Sequence, residues 1–76
     1  MKHARHERGI QLFGSKLRKV RKEKGFTQED LAYRADLELS QISRIERGVI
    51  NTSISQLFFI AEALEISPKE LFDFEI

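Results

Sequence analysis

Apolar residues in this chain recur three and four positions apart, and each run is closed by a helix stop signal. Ile10, Phe13, Leu17 and Val20 step by three, four and three, which lines one face of a helix. Gly25 follows as the stop, so the spacing predicts a first helix over about 9–24. Thr27 is a suitable N-cap for a second helix, with Glu29 and Asp30 at its positive end. That helix turns Leu31, Ala32 and Ala35 inward and ends at Asp36, a residue type that tolerates left-handed backbone.

A third helix is expected from about Glu38 to Arg47, stopped by Gly48. Only Leu37, Ile42 and Ile45 serve its core, whereas Ser40, Gln41, Ser43, Arg44 and Arg47 are polar. A short helix so polar, set between better-packed neighbours, is the mark of a working surface. Ser53 and Gln56 have capping-box spacing ahead of a fourth helix to about Leu64, with Ile54, Leu57, Ile60, Ala61 and Leu64 as its stripe. Ser67-Pro68-Lys69-Glu70 opens a fifth, with Leu71 and Phe72 inward and an end near Phe74. No strand alternation occurs. The expected fold is all-α, five short helices in a single domain over 9–76, preceded by a basic flexible tail over 1–8.

Size makes that core obligatory. A domain of 76 residues hides only roughly 60 % of the surface its unfolded chain exposes. With no cysteine, neither disulfides nor thiolate metal sites can supplement it. The longest apolar run, Leu57 to Ala61, falls far below the ~20 residues of a membrane span. The charged N-terminus has no apolar segment behind it and does not read as a secretory signal. The lack of cysteine fits a reducing compartment, so a cytoplasmic setting is the expectation. His3 and His6 lie three apart in the tail without a third ligand, so no metal is expected there.

Charge is divided unequally. Residues 1–26 carry nine Lys/Arg against Glu7 and Glu23, whereas residues 27–76 carry four against ten acids. Such asymmetry is compatible with an anionic partner or with a solvated basic helix face.

Three ordered blocks sharpen the reading. They are Phe26-Thr27-Gln28-Glu29-Asp30-Leu31-Ala32, then Ile42-Ser43-Arg44-Ile45-Glu46-Arg47-Gly48, then Leu57, Ile60-Ala61, Ala63-Leu64, Ile66-Ser67 and Glu70-Leu71-Phe72. Together they closely resemble the lambda-repressor-like, Cro/cI-type (XRE) helix-turn-helix family over about residues 13–72. The resemblance implies that helices 2 and 3 form the motif and that helix 3 enters the DNA major groove. Leu39, Ser40, Gln41 and Arg44 match its base-facing positions, with Arg44 able to donate two bonds to one guanine. Gln28, Ser43, Arg47, Asn51 and Thr52 match phosphate-contacting positions. Arg21 and Glu46 match a structural ion pair.

The chain departs from the family at three places. Asp36 stands where glycine is usual, Glu38 where serine or threonine caps helix 3, and Phe59 where relatives tend to be polar. A carboxylate at position 38 repels phosphate unless it accepts from a cytosine or pairs with Arg34 or Arg44.

The implied function is a sequence-specific transcriptional regulator similar to restriction–modification controller proteins. It would be a homodimer on an inverted repeat, with Phe59, Phe72, Phe74 and Ile76 as the interface, and a repressor or controller of its own promoter. No cofactor and no small-molecule effector is expected. An antitoxin of the same fold and a small protein-interaction module are the competing readings. The module would place apolar anchors on helix 3, where this chain has Ser40, Gln41, Ser43 and Arg44. An enzyme is disfavoured by the lack of cysteine, of a phosphate-cradling glycine loop and of histidine outside the tail.

Overall fold

The structure is a computed structural model that describes residues 5–76. It contains four α-helices, α1 (Glu7–Glu23), α2 (Gln28–Ala35), α3 (Leu39–Glu46) and α4 (Ile54–Leu64), followed by a 3-10 turn at Pro68–Phe72. No strand occurs among the described residues.

Helix α1 begins at Glu7, inside the expected tail. The imidazole of His6 caps it, Nδ1 accepting from the Gly9 amide at 2.9 Å. Arg5 and Arg8 flank that cap and reach across the fold, donating to the carbonyls of Val49 and Ile76 at 3.0 Å each. Residues 1–4 of the expected tail, His3 among them, lie outside the described residues.

Reciprocal bonds start α2. The Asp30 amide donates to Thr27 Oγ1 at 3.0 Å, and the Thr27 amide donates to Asp30 Oδ2 at 2.9 Å. The helix ends with Asp36 in left-handed conformation at φ 57°, and Leu37 N–H donates back to the Ala32 carbonyl at 2.9 Å. That closure swings the chain from α2 into α3 within three residues.

Packing runs α1 on α3, α2 on both α3 and α4, and the 3-10 turn on α1 and α4. Leu17, Leu31, Ile42, Ile45, Ile60, Leu64 and Leu71 are fully buried where these elements meet. The approach of α1 to α3 is close enough to require Gly14. A Cβ there would stand 2.2 Å from the Ile45 carbonyl oxygen and 2.8 Å from that of Glu46.

Two expected core residues are outside. Ile54, 72 % exposed, is the first residue of α4 and stands on the rim, so the buried stripe is Ile60, Ala61, Ala63 and Leu64. Phe72 is 51 % exposed, because the fifth element is 3-10 rather than α. With three residues per turn and five residues in all, it buries Leu71 alone. The Phe72 ring instead lies 5.3 Å from that of Phe13. The Ser53 cap forms, but its expected reciprocal arm does not. Gln56 Oε1 accepts from the Thr52 hydroxyl at 2.8 Å, while its backbone amide donates to Ser53 Oγ at 3.1 Å.

Candidate nucleic-acid interface

Helix α3 has one committed face and one free face. Ile42, Ile45 and Glu46 are buried, whereas Leu39, Ser40 and Arg44 are exposed and Gln41 and Ser43 are half-buried. Their spacing puts Ser40, Arg44 and Arg47 three to four residues apart along a single ridge. Leu39, 44 % exposed, stands at its start.

What fixes the orientation of that ridge is a carboxylate. Glu46, at the end of α3, receives Arg21 Nε at 2.6 Å on Oε2 and Arg21 Nη2 at 3.0 Å on Oε1. The Oε1 atom also receives Gln28 Nε2 at 2.9 Å. Arg21 Nη1 in turn donates to the Phe26 carbonyl at 2.7 Å, just before α2. Three elements therefore converge on one buried ion pair. No buried side-chain polar atom among the described residues lacks a partner. The hydrogen bond from Arg21 to Glu46 raises the arginine's already high pKa against the opposing pull of burial, so this cation is permanent.

The remaining site residues divide by whether their polar groups are already engaged. Gln28 spends one amide N–H on Glu46, which leaves its second for another acceptor. Gln41 Oε1 accepts from the Glu38 amide at 2.9 Å, which leaves the side-chain NH2 to donate outward. The Thr52 hydroxyl proton is occupied by Gln56. Arg44 and Arg47 are exposed and form no ion pair among the described residues, so their guanidinium charges are uncompensated. Asn51 is exposed in the loop after α3.

Among the described residues, Glu38 forms an ion pair with neither Arg34 nor Arg44. The Arg34 guanidinium lies over the Phe26 ring at 4.3 Å. The Glu38 carboxylate belongs to the N-cap residue of α3, at the helix end whose dipole favours negative charge.

The four residues expected at a dimer interface do not share one surface. Phe72, Phe74 and Ile76 wall an open apolar groove with Phe13, Ile54 and Leu57. Phe59, 52 % exposed, lines a separate depression with Arg34, Asp36 and Glu62. Phe58, also exposed, lies one helical turn from Ile54.

Sequence reasoning missed Gly14 and Arg5. A helical glycine four residues from Arg18 carries no periodic signal of its own. The partner of Arg5 is 44 residues away in sequence.

Comparison with known proteins places this geometry. A family model described as a helix-turn-helix domain matches residues 14–74. The control protein C.BamHI of Bacillus amyloliquefaciens is 45 % identical over 64 residues, 83 % of this chain and 79 % of that protein. The control protein C.MunI of Mycoplasma sp is 44 % identical over 61 residues, covering 79 % of this chain and 82 % of its own. The crystal structure of the restriction-modification controller protein C.AhdI from Aeromonas hydrophila superposes with a TM-score of 0.82 at 41 % identity, covering 83 % of this chain and 96 % of that one. Among the described residues, no helix is long and apolar enough to cross a membrane. The chain belongs to the helix-turn-helix family, whose members are DNA-binding transcriptional regulators rather than enzymes, and α2 and α3 are its motif.

Proposed function

We propose that this protein is a controller-type regulator that binds an inverted repeat as a homodimer and governs promoters that include its own. The observation that carries the reading is the free face of α3, held rigidly by Arg21, Glu46 and Gln28. Leu39, Ser40, Gln41 and Arg44 read base edges in the major groove. Gln28, Ser43, Arg47, Asn51 and the Thr52 region contact phosphates that set the docking angle. Thr52 does so only after its hydroxyl leaves Gln56, or through its backbone.

A second copy covers the apolar groove, through Ile54, Phe58, Phe72, Phe74 and Ile76; Phe59 lies apart from that patch. Two α3 helices about one DNA turn apart, ~34 Å, then face successive major grooves. The names of the relatives C.BamHI and C.AhdI support a role in restriction–modification control.

Footprinting on DNA upstream of the protein's own gene tests the proposal. Protection of two symmetric half-sites supports it, and equal affinity for that DNA and for random duplex overturns it. Sedimentation tests the interface. Ile54→Glu, at an exposed position, is expected to give monomers, whereas Phe59→Glu keeps the dimer.

A further inference from the structure

We infer that Arg5, which lies outside the helix-turn-helix, is part of the DNA-binding surface and grips the phosphate backbone beside the α3–α4 loop. The inference rests on the docking reading above and extends it to the other end of the chain.

Arg5 Nη2 donates to the carbonyl of Val49 at 3.0 Å. Val49 is two residues beyond Arg47 and two before Asn51, and its own amide donates to the Arg44 carbonyl at 2.9 Å. The guanidinium is thereby fixed at the end of the recognition helix, among residues proposed to meet phosphate. Arg5 Nε faces a Glu7 carboxylate oxygen at 3.1 Å, and both side chains are well exposed, at 39 % and 63 %. An exposed pair of this kind is weak and screened by salt. A guanidinium carries five N–H donors, and these two contacts leave three unused. When the loop meets DNA, a phosphate offers a stronger, charge-assisted acceptor than Glu7 and displaces it. Arg8 differs in placement, since its Nε donates to the Ile76 carbonyl at the opposite end of the chain.

A purely structural role makes a different forecast. A cation at the C-terminal end of α3 also favours the helix dipole, and that role would change melting temperature without changing how DNA binding responds to salt.

The experiment measures affinity for a random-sequence duplex across a salt series, because phosphate contacts need no particular sequence. Each lost phosphate contact lowers the slope of log K against log salt by about 0.9. For each protein copy, Arg5→Ala is expected to remove about that much slope, Arg5→Lys to retain most of it, and Arg8→Ala to leave it unchanged. Glu7→Gln, which frees Arg5, is expected to tighten binding at low salt. A wild-type slope in Arg5→Ala overturns the inference, whether or not the variant melts earlier. Arg47→Ala separates the two levels of argument: a lower slope there with none lost in Arg5→Ala refutes Arg5 alone. No slope change in either variant removes the docking reading and this inference with it.

Discussion

Gln28 and Glu46 are joined directly, Gln28 Nε2 donating to Glu46 Oε1 at 2.9 Å, so the first residue of α2 braces the last residue of the recognition helix. The same oxygen accepts from Arg21 Nη2. A side chain proposed to meet DNA is thus tied to the ion pair that aims α3. The proposed phosphate contact and the orientation of α3 are coupled through a single carboxylate.

Removing Arg21 leaves that carboxylate buried with only Gln28 as a donor. Breaking a buried pair costs on the order of 3–5 kcal/mol. Arg21→Ala is therefore expected to lower the melting temperature far more than Lys22→Ala, which removes an exposed cation of the same helix. Thermal unfolding followed by circular dichroism decides; similar shifts for the two would reduce Arg21 to part of the basic face.

Gly14→Ala adds a Cβ against the backbone carbonyls of Ile45 and Glu46, atoms that cannot swing aside as a flexible side chain can. Overpacking costs about 1–3 kcal/mol, occasionally more. Since the strain is relieved only by moving α3 away from α1, DNA affinity should fall even at temperatures where the variant is folded. Undiminished affinity with wild-type melting would show that the two helices separate freely.

Asp36 is the one residue at the α2–α3 turn forced to positive φ. Glycine adopts this conformation without the Cβ clash, so Asp36→Gly should stabilise the fold by up to about 1 kcal/mol. For a domain of this size that is a rise of about 4–8 °C in melting temperature. A lower melting point would mean that the aspartate side chain is worth more than its strain.

The Thr27 amide donates to the Asp30 carboxylate, and this bond chiefly, with the Thr27 hydroxyl beside it, holds the carboxyl below the ordinary value. The folded pKa is depressed, so its contribution is complete above the unfolded value near 3.9 and is lost as pH falls through the folded one. Acid unfolding below about pH 4 should thus be less steep in Asp30→Asn. Identical acid limbs for the two proteins would remove Asp30 from the acid-sensitive groups.

Arg44→Ala tests base reading. The loss expected on the specific site is about 1–3 kcal/mol, with relaxed preference at one base pair per half-site. An equal loss on random duplex would make Arg44 a phosphate contact instead.

Much of this molecule is legible along the chain because its determinants are local. The stripe Phe13, Leu17, Val20, the Thr27 cap and the left-handed Asp36 act over three or four residues, and sequence displays that range directly. So does the polarity of α3, whose exposed ridge follows from which residues its core could use. Tertiary structure decided what depends on distance along the chain. The bond from Arg5 to Val49 and the approach that demands Gly14 each join segments more than thirty residues apart. Periodicity put Ile54 and Phe72 in the core, yet burial requires an opposing element. At the first turn of α4 and in a 3-10 turn of five residues, the fold provides none that encloses them. Phe59 and Phe72 are likewise expected at one interface, and only the packing of α4 between α2 and the C-terminal turn sends them to different surfaces.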